Sequence, residues 1–207
     1  MGEYLVPLKE AESEFTEKRS RFIGHVFSAR SEDEARACIE EVRKTHYNAR
    51  HNCWCYVIRG GAVRYGDDGE PQGTAGQPML NVFQREGVEN VCCVVTRYFG
   101  GVLLGAGGLT RAYAKAAKDA LDAAGIGRMK LWTAARASVA YPIFEQIKLE
   151  IERAGGEICA AEYSDRIELE FIVPDGVLEP LSARFAELSA GNVKAEKTGG
   201  EFRPAAL

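Results

Sequence analysis

The sequence predicts an α+β fold with two domains. Strands and helices alternate through the first 127 residues, and the apolar spacing changes from that of a strand to that of a helix across a glycine-rich loop at residues 100–107. Residues 128–207 then have the element order β-α-β-β-α-β, which is that of a ferredoxin-like split βαβ domain. Gly125-Ile126-Gly127 ends the preceding helix. We therefore expect domains at residues 1–127 and 128–207.

The first predicted elements are a strand and a helix. Apolar residues between positions 21 and 29 indicate the strand. Ser31 and Glu34 have the spacing of a capping box, in which side chains bond to the free backbone N–H groups of a first helical turn. Ser31 and Glu34 therefore predict where the helix begins. The face that we expect to be buried carries Ala35, Cys38, Ile39 and Val42.

A hairpin and a short helix come next. Residues 52–59 and 62–65 are predicted as two strands joined at Gly60-Gly61. The first glycine-rich segment, residues 66–76, then connects this hairpin to a short helix over residues 77–85.

A buried strand and the second glycine-rich segment, residues 97–111, complete the first domain. Residues 90–99 are apolar on both faces up to Arg97, which predicts a central strand covered on both sides. The helix that follows from Gly108 has a face made mostly of alanines, so it is expected to lie close to the sheet. Because glycines precede the free N–H groups of this helix, the segment suits an anionic ligand.

The second domain is predicted from its own periodic segments. One of its strands alternates apolar residues with Glu168 and Glu170, so one face of the sheet is expected to meet solvent. Gly155-Gly156 ends the first helix, and Ser164-Asp165 forms the turn of a hairpin. The predicted elements are a strand at 131–140, a helix at 142–154, strands at 157–163 and 166–173, a helix at 177–188 and a strand at 192–202.

Composition favours an intracellular globular protein. The chain has 207 residues, of which 46% are hydrophobic and 27% are charged, and its formal net charge is −4. It lacks an apolar run long enough to span a bilayer and has no signal-peptide pattern at its start, so we expect a cytoplasmic protein without a membrane partner. Six cysteines without C-x-x-C spacing are expected to be buried thiols.

Positive charge is concentrated in two stretches without acidic residues. No acid occurs between Glu41 and Asp67, or between Glu89 and Asp119. The cations in these stretches include Arg43, Lys44, Arg50, Arg59, Arg64, Arg97, Arg111, Lys115 and Lys118. If the two stretches fold together, they form a basic face.

Two groups of residues are candidate metal sites. His46, His51, Cys53 and Cys55 include three residues that project to one side of a strand, but the spacing is not that of a usual zinc site. Asp67, Asp68 and Glu70 could hold Mg²⁺ or act as acid and base, or they could form a solvated turn that Pro71, Gly73 and Thr74 restrain. We predict no resident metal or cofactor.

The second glycine-rich segment is the main candidate binding site. Arg97 and Arg111 are candidate partners for an anion, and Tyr98 is a candidate stacking platform. Alternatively, Tyr98 and Phe99 complete a core strand, and Arg97 pairs with Asp67 or Asp68. The candidate residues of this segment and of the following helix are Arg97, Tyr98, Phe99, Gly100, Gly101, Gly105, Gly107, Gly108, Thr110, Arg111 and Lys115.

The two glycine-rich segments resemble the signature of the IMPACT (YigZ-like) protein family. Residues 94–105 and 67–80 carry most of the resemblance, and residues 18–23 and 51–53 also match. The resemblance covers nearly the whole chain and is typical of the bacterial two-domain form. Cys55 stands where alanine is expected in many members, which disfavours a shared metal site.

This resemblance implies both a fold and a field of function. The first domain is expected to resemble domain IV of elongation factor G, a ribosomal-protein-like α/β sandwich, and the second to resemble the ferredoxin-like domain V. Eukaryotic members regulate translation by restraining an initiation-factor kinase through its activator. For bacterial members, the family implies a role near translation or RNA.

Three functions follow from these observations. The first is a binding protein, rather than an enzyme, that engages RNA, the ribosome or a translation partner through the basic glycine-rich face. The second is an enzyme acting on a phosphorylated substrate, with the helix start holding phosphate and the acids of the first segment holding Mg²⁺. The third is a protein-binding module in which Glu168 and Glu170 face a basic partner.

Overall fold

A computed structural model describes residues 3–206 and contains two compact units. One unit comprises Met1–Arg128 together with Pro204–Leu207, and the other comprises Met129–Arg203. Each unit has its own sheet and its own apolar core, so the chain is an α+β protein. Among the described residues, no helix combines the length and the apolar character needed to cross a bilayer.

The first unit contains a five-stranded antiparallel sheet with the order β2-β3-β6-β4-β5. Its strands are β2 (Ala11–Glu17), β3 (Ser20–Ser28), β4 (His51–Val57), β5 (Val63–Gly66) and β6 (Val91–Tyr98). The central strand β6 is buried over seven of its eight residues, as its continuous apolar sequence predicts. A short strand, β1 (Tyr4–Pro7), precedes the sheet in the chain.

Three helices cover the two faces of this sheet. Helix α1 (Glu32–Thr45) packs with Tyr56, Cys92 and Val94 on one face, while α2 (Gly76–Glu86) and α3 (Ala106–Ala124) pack on the other. The predicted start of α1 is confirmed, since the Ser31 hydroxyl accepts a hydrogen bond from the backbone N–H of Glu34 at 3.2 Å. The layers are therefore helix, sheet and helix pair.

The small residues of α3 bring it close to strand β3. A Cβ atom built on Gly24 of β3 would lie 2.5 Å from the carbonyl oxygen of Ala116 and 3.2 Å from Cβ of Ala120. The predicted alanine face is thus confirmed as a close packing surface, and the start of α3 is held in a fixed position above the sheet.

In the sheet of the second unit, β7, β9 and β8 are neighbours in that order, and β10 also pairs with β7. Its elements are β7 (Ile126–Val139), a 3₁₀ turn (Tyr141–Ile143), α4 (Phe144–Arg153), β8 (Glu157–Tyr163), β9 (Ile167–Pro174), α5 (Leu178–Leu188) and β10 (Glu196–Ala206). The predicted order β-α-β-β-α-β is present. Ile147, Ile151 and Phe185 of the helices pack on the apolar face of β9, while Glu168 and Glu170 lie exposed on its other face.

Two strands at the start of the chain were not predicted. In β2, half-buried residues such as Phe15 alternate with exposed Glu12 and Glu14, and the strand lies at the edge of its sheet. Antiparallel pairing with β3 holds this strand in the sheet, in a register that places Glu17 opposite Ser20. A sequence rich in acids, with only two apolar residues, carries too weak a periodic signal to reveal such a strand.

We expect the substitution Gly24→Ala to destabilise the first unit. The added methyl group would overlap the backbone of α3 at Ala116, which a close-packed layer tolerates poorly, so the free energy of unfolding should fall by about 1–3 kcal/mol. Chemical denaturation measures this change. Gly199→Ala is the matched control, because a Cβ atom there meets no atom within 4 Å. Equal stabilities of the two variants would contradict close packing at Gly24.

Candidate functional site

The two glycine-rich segments meet around a cleft of about 320 Å³ at the end of β6. Its lining comes from the start of β4, the first glycine-rich segment, the end of β6 and the start of α3. The lining residues are Arg50, His51, Glu70, Pro71, Arg97, Phe99, Leu103, Leu104, Gly105, Ala106 and Leu109. Segments distant in the sequence therefore form one concave surface.

A buried ion pair joins the two segments below this cleft. The Nη1 atom of Arg97 lies 2.6 Å from Oε1 of Glu70, and the two side chains are only 5% and 4% exposed. The Cζ atom of the guanidinium also lies over the rings of Phe22 and Phe99, at 5.5 and 5.3 Å from their centroids. Arg97 therefore holds the structure together, and its charge is already compensated.

Neighbouring hydroxyl groups complete this buried pair. The Tyr113 hydroxyl donates to Oε1 of Glu70 at 2.8 Å, and Nη2 of Arg97 donates to the Ser20 hydroxyl at 3.2 Å. Burial raises the pKa of Tyr113, as do the nearby thiol of Cys53 and carboxylate of Glu70, so the phenol remains a hydrogen-bond donor. Because charged groups need such partners when they leave water, the network stabilises the buried pair.

Asp67 fixes the shape of the first glycine-rich segment. One of its carboxylate oxygens accepts the N–H of Gly73 at 2.8 Å, and the other accepts those of Ala75 and Gly76 at 3.1 and 2.9 Å. The carboxylate thus binds backbone N–H groups at the start of α2, where negative charge is favoured. Burial chiefly raises the pKa of the Cys53 thiol, which donates to the carbonyl of Asp67.

Asp68 ties this segment to the neighbouring strand and helix. Its two carboxylate oxygens accept the backbone N–H of Asn52 at 2.7 Å and the guanidinium of Arg43 at 3.1 Å. Both aspartates are therefore committed to structural hydrogen bonds. Glu70 is committed as well, to Arg97 and Tyr113.

Two glycines of the second segment have requirements that no other residue meets easily. A Cβ atom on Gly100 would lie 1.9 Å from the carbonyl oxygen of Arg19, so the chain passes directly against the β2–β3 turn. Gly105 has φ of 72° and is the residue before α3. Together they bring the loop across the end of β6 and direct it into the helix.

The start of α3 presents uncapped N–H groups beside the cleft. Gly105 has no side chain to cap the helix, and the first turn contains no acidic residue. Ala106 and Gly107 are exposed. Free N–H groups at a helix start carry partial positive charge, so this end of the cleft favours an anion.

An apolar wall and two polar side chains complete the cleft. Phe99 is 40% exposed and Leu103 is 82% exposed, which is a high value for leucine. Arg50 and His51, at the start of β4, line the opposite part. The sequence indicated these two residues only as a basic charge and a metal candidate. Arg50 and His51 reach the cleft because β4 pairs with β6, with His51 opposite Arg97.

Several other predicted residues are not part of the cleft lining, although Pro71 is. The Tyr98 hydroxyl contacts His46 and donates to Asn48, so this ring is absent from the cleft lining. Gly108, Arg111 and Lys115 line a separate groove of about 170 Å³. Thr110 and Gly101 are exposed, Pro71 is in the lining, and Thr74 is buried with its hydroxyl donating to the carbonyl of Pro71.

Most cations of the predicted basic face are paired with acids from elsewhere in the chain. The pairs are Arg43 with Glu40 and Asp68, Arg59 with Glu89, Arg64 with Glu32, Lys115 with Asp119, and Lys118 with Glu86 and Asp122. Lys44, Arg50 and Arg111 have no acidic partner in the part of the chain that the structure describes. The prediction of a basic face from these acid-free stretches therefore overestimated the positive charge that remains unpaired.

The histidine and cysteine candidates do not form a metal site. Cys53 and Cys55 are buried in the core, where burial raises the pKa of both thiols. Within residues 3–206, no three histidine, cysteine, aspartate or glutamate side chains are grouped as metal ligands. All six cysteines are free thiols, and only Cys159 is exposed.

Comparison with known families gives matches in both units. The family model of the Impact N-terminal domain matches residues 18–121, and the model of a domain of unknown function (DUF1949) matches residues 138–192. The first match contains both glycine-rich segments and every residue of the cleft lining.

Individual relatives resemble the chain over most of its length. The IMPACT family member YvyE of Bacillus subtilis is 39% identical over 89% of this chain and 86% of its own. The IMPACT family member YigZ of Escherichia coli is 32% identical over 94% and 97%. A crystal structure of a hypothetical protein is 32% identical with a TM-score of 0.61, covering 94% of this chain and 97% of that one.

We expect Arg97 and Glu70 to be strongly coupled. Glu70→Gln leaves a buried guanidinium without its counter-charge, so the free energy of unfolding should fall by about 3 kcal/mol or more. In an Arg97→Met background, the same substitution should cost much less. A double-mutant cycle by chemical denaturation measures the difference.

Arg136 and Glu196 provide a control pair, since their side chains are 64% and 67% exposed. The same cycle with Arg136→Met and Glu196→Gln should show a much smaller coupling. Equal coupling in the two pairs would contradict the structural role assigned to Arg97.

Proposed function

The chain belongs to the IMPACT family, and on that basis we propose that it is a translation-associated binding protein that engages RNA through the cleft. One observation carries the proposal. The exposed ring of Phe99 and the exposed side chain of Leu103 lie in the same cleft as the uncapped start of α3 and as Arg50, which has no acidic partner among the described residues. Apolar surface beside a positive site matches a nucleotide, which joins a flat base to a phosphate.

The chemistry of the cleft favours single-stranded RNA. An aromatic side chain such as Phe99 can stack on any base, and such stacking contributes about 1–3 kcal/mol per base. Arg50 and the N–H groups of α3 offer contacts to phosphate. The groove that contains Arg111 and Lys115 offers a second cationic contact for a strand that continues past the helix start.

The proposed partner is RNA of the translation apparatus, including the ribosome. We propose that residues 1–127 correspond to a domain resembling domain IV of elongation factor G, and residues 128–207 to one resembling its domain V. The strand order of the second unit and the helix, sheet and helix-pair layers of the first support this correspondence. Six free thiols support a reducing, cytoplasmic location.

The enzymatic alternative finds little support in the acidic residues of the first glycine-rich segment. Phosphoryl transfer with Mg²⁺ needs carboxylate oxygens directed at the phosphate. Instead, Asp67 and Asp68 accept backbone N–H groups, and Glu70 is paired with Arg97. We therefore propose binding without catalysis.

We expect ribosome and RNA association to weaken steeply with salt. Each phosphate contact to a single strand contributes about 0.7 to the slope of log K against log salt. Arg50→Ala and Arg111→Ala should each lower the affinity, and each should make the slope shallower by about 0.7, the value for one phosphate contact. Co-sedimentation with ribosomes and filter binding of single-stranded RNA across a salt series measure both quantities.

Arg153→Ala is the matched control, because Arg153 is an exposed arginine on α4 of the other unit. It should leave affinity and slope unchanged. Arg97→Ala is unsuitable as a test of binding, since this side chain supports the cleft. If association is absent at low salt, or if neither Arg50→Ala nor Arg111→Ala alters the slope, the proposal fails.

A further inference from the structure

The hydrogen bonds of His51 determine which of its ring nitrogens carries the proton. Its Nδ1 atom lies 2.9 Å from the backbone carbonyl oxygen of Asp68. A carbonyl oxygen only accepts, so Nδ1 must be the donor. In the uncharged imidazole, Nε2 then has a lone pair and no proton. In this uncharged form, His51 presents a hydrogen-bond acceptor at Nε2.

This acceptor belongs to the cleft, and no residue among those that the structure describes donates a hydrogen bond to it. His51 lines the cleft, and its side chain is 18% exposed. The charged group facing Nε2 is the Glu70 carboxylate, whose Oε1 lies 4.0 Å away and already accepts from Arg97 and Tyr113. Two acceptors thus face each other at a distance too long for a direct hydrogen bond. A hydroxyl group of a ligand can donate a hydrogen bond to Nε2 of His51.

The same cleft also contains donors without acceptors. Arg97 lines it with a side chain that is 5% exposed, and the buried Nε–H of this residue has no hydrogen-bond acceptor among the described residues. The free N–H groups at the start of α3 and the guanidinium of Arg50 are nearby donors in the lining. The N–H groups of α3 and the guanidinium of Arg50 favour an anion, independently of the acceptor on His51, whereas the charge of Arg97 is already balanced by Glu70.

The volume of the cleft limits the size of its ligand. At about 320 Å³, it lies at the lower end of the range for small-molecule sites. It therefore suits one nucleotide unit rather than a folded partner. The three kinds of group in its wall match the three parts of such a unit: a hydroxyl-bearing sugar, a phosphate and a flat base.

We propose that the cleft binds a single ribonucleotide unit and that His51 selects ribose over deoxyribose. Nε2 of His51 accepts a hydrogen bond from a ribose hydroxyl, Arg50 and the start of α3 hold the phosphate, and Phe99 and Leu103 contact the base. The 2′-hydroxyl is the group by which a protein distinguishes RNA from DNA at one position. This inference rests on the proposed function and assigns its selectivity to one atom.

The substitution His51→Asn isolates that atom. The asparagine amide can still donate to the carbonyl of Asp68, but the side chain has no atom at the position of Nε2. The wild-type protein should bind a short 5′-phosphorylated RNA about threefold to tenfold more tightly than DNA of the same sequence, the range for one hydrogen bond. In His51→Asn the RNA affinity should fall to that for DNA, and the DNA affinity should stay unchanged. Fluorescence anisotropy measures both.

His46→Asn is the matched control, because His46 contacts Tyr98 and is not part of the cleft lining. It should keep both affinities. A second measurement needs no variant: RNA with 2′-O-methyl groups lacks the hydroxyl donor, so the wild-type protein should bind it as weakly as DNA. Equal wild-type affinity for RNA and DNA, or a preference that survives in His51→Asn, overturns the assignment of His51.

Free nucleotides separate this inference from the proposed function. AMP and 2′-deoxy-AMP offer the same unit without a strand. If the protein binds AMP more tightly than 2′-deoxy-AMP, and His51→Asn abolishes the difference, the ribonucleotide site is supported even where RNA strands and ribosomes do not bind, and only the proposed function fails. If neither the oligonucleotides nor the nucleotides bind, both fail.

Discussion

The buried ion pair between Arg97 and Glu70 is the interaction on which the cleft depends. It connects the end of the central strand β6 to the first glycine-rich segment, and Tyr113 of α3 contributes a third partner. Two charges that are almost fully removed from water require each other, since loss of either leaves the remaining one unpaired. The pair therefore holds β6, the first glycine-rich segment and α3 next to one another. The positions of these three elements determine the walls of the cleft.

This arrangement divides the glycine-rich signature into residues that build the cleft and residues that face a ligand. Asp67, Asp68, Glu70 and Arg97 carry the most conspicuous charges, yet each is committed to contacts within the protein. The groups left for a ligand are less conspicuous: the N–H groups of α3, the exposed apolar wall, Arg50 and Nε2 of His51. The charged residues of the signature thus build the cleft, while the groups that face a ligand are mostly neutral.

The sequence predicted the elements that have strong local signals. The capping residue Ser31 placed the start of α1, and the continuous apolar run placed β6. It did not predict β2, an edge strand held by its register rather than by periodicity. Nor could it assign Arg97 to Glu70 rather than to Asp67 or Asp68, because that choice depends on how β6 and the first segment approach in space. The neutralised basic face was not predictable for the same reason, since its acidic partners all lie outside the acid-free stretches and approach the cations only in the fold.

We infer that the Arg97–Glu70 pair holds the two glycine-rich segments together. Hydrogen–deuterium exchange of the wild-type protein and the Glu70→Gln variant tests it most directly, because exchange reports local opening at each segment. Exchange should become faster in both residues 66–76 and residues 99–109 of the variant, while the hairpin of β8 and β9 in the other unit keeps its wild-type rate. Unchanged exchange in both glycine-rich segments of a variant that lacks the ion pair would contradict the account.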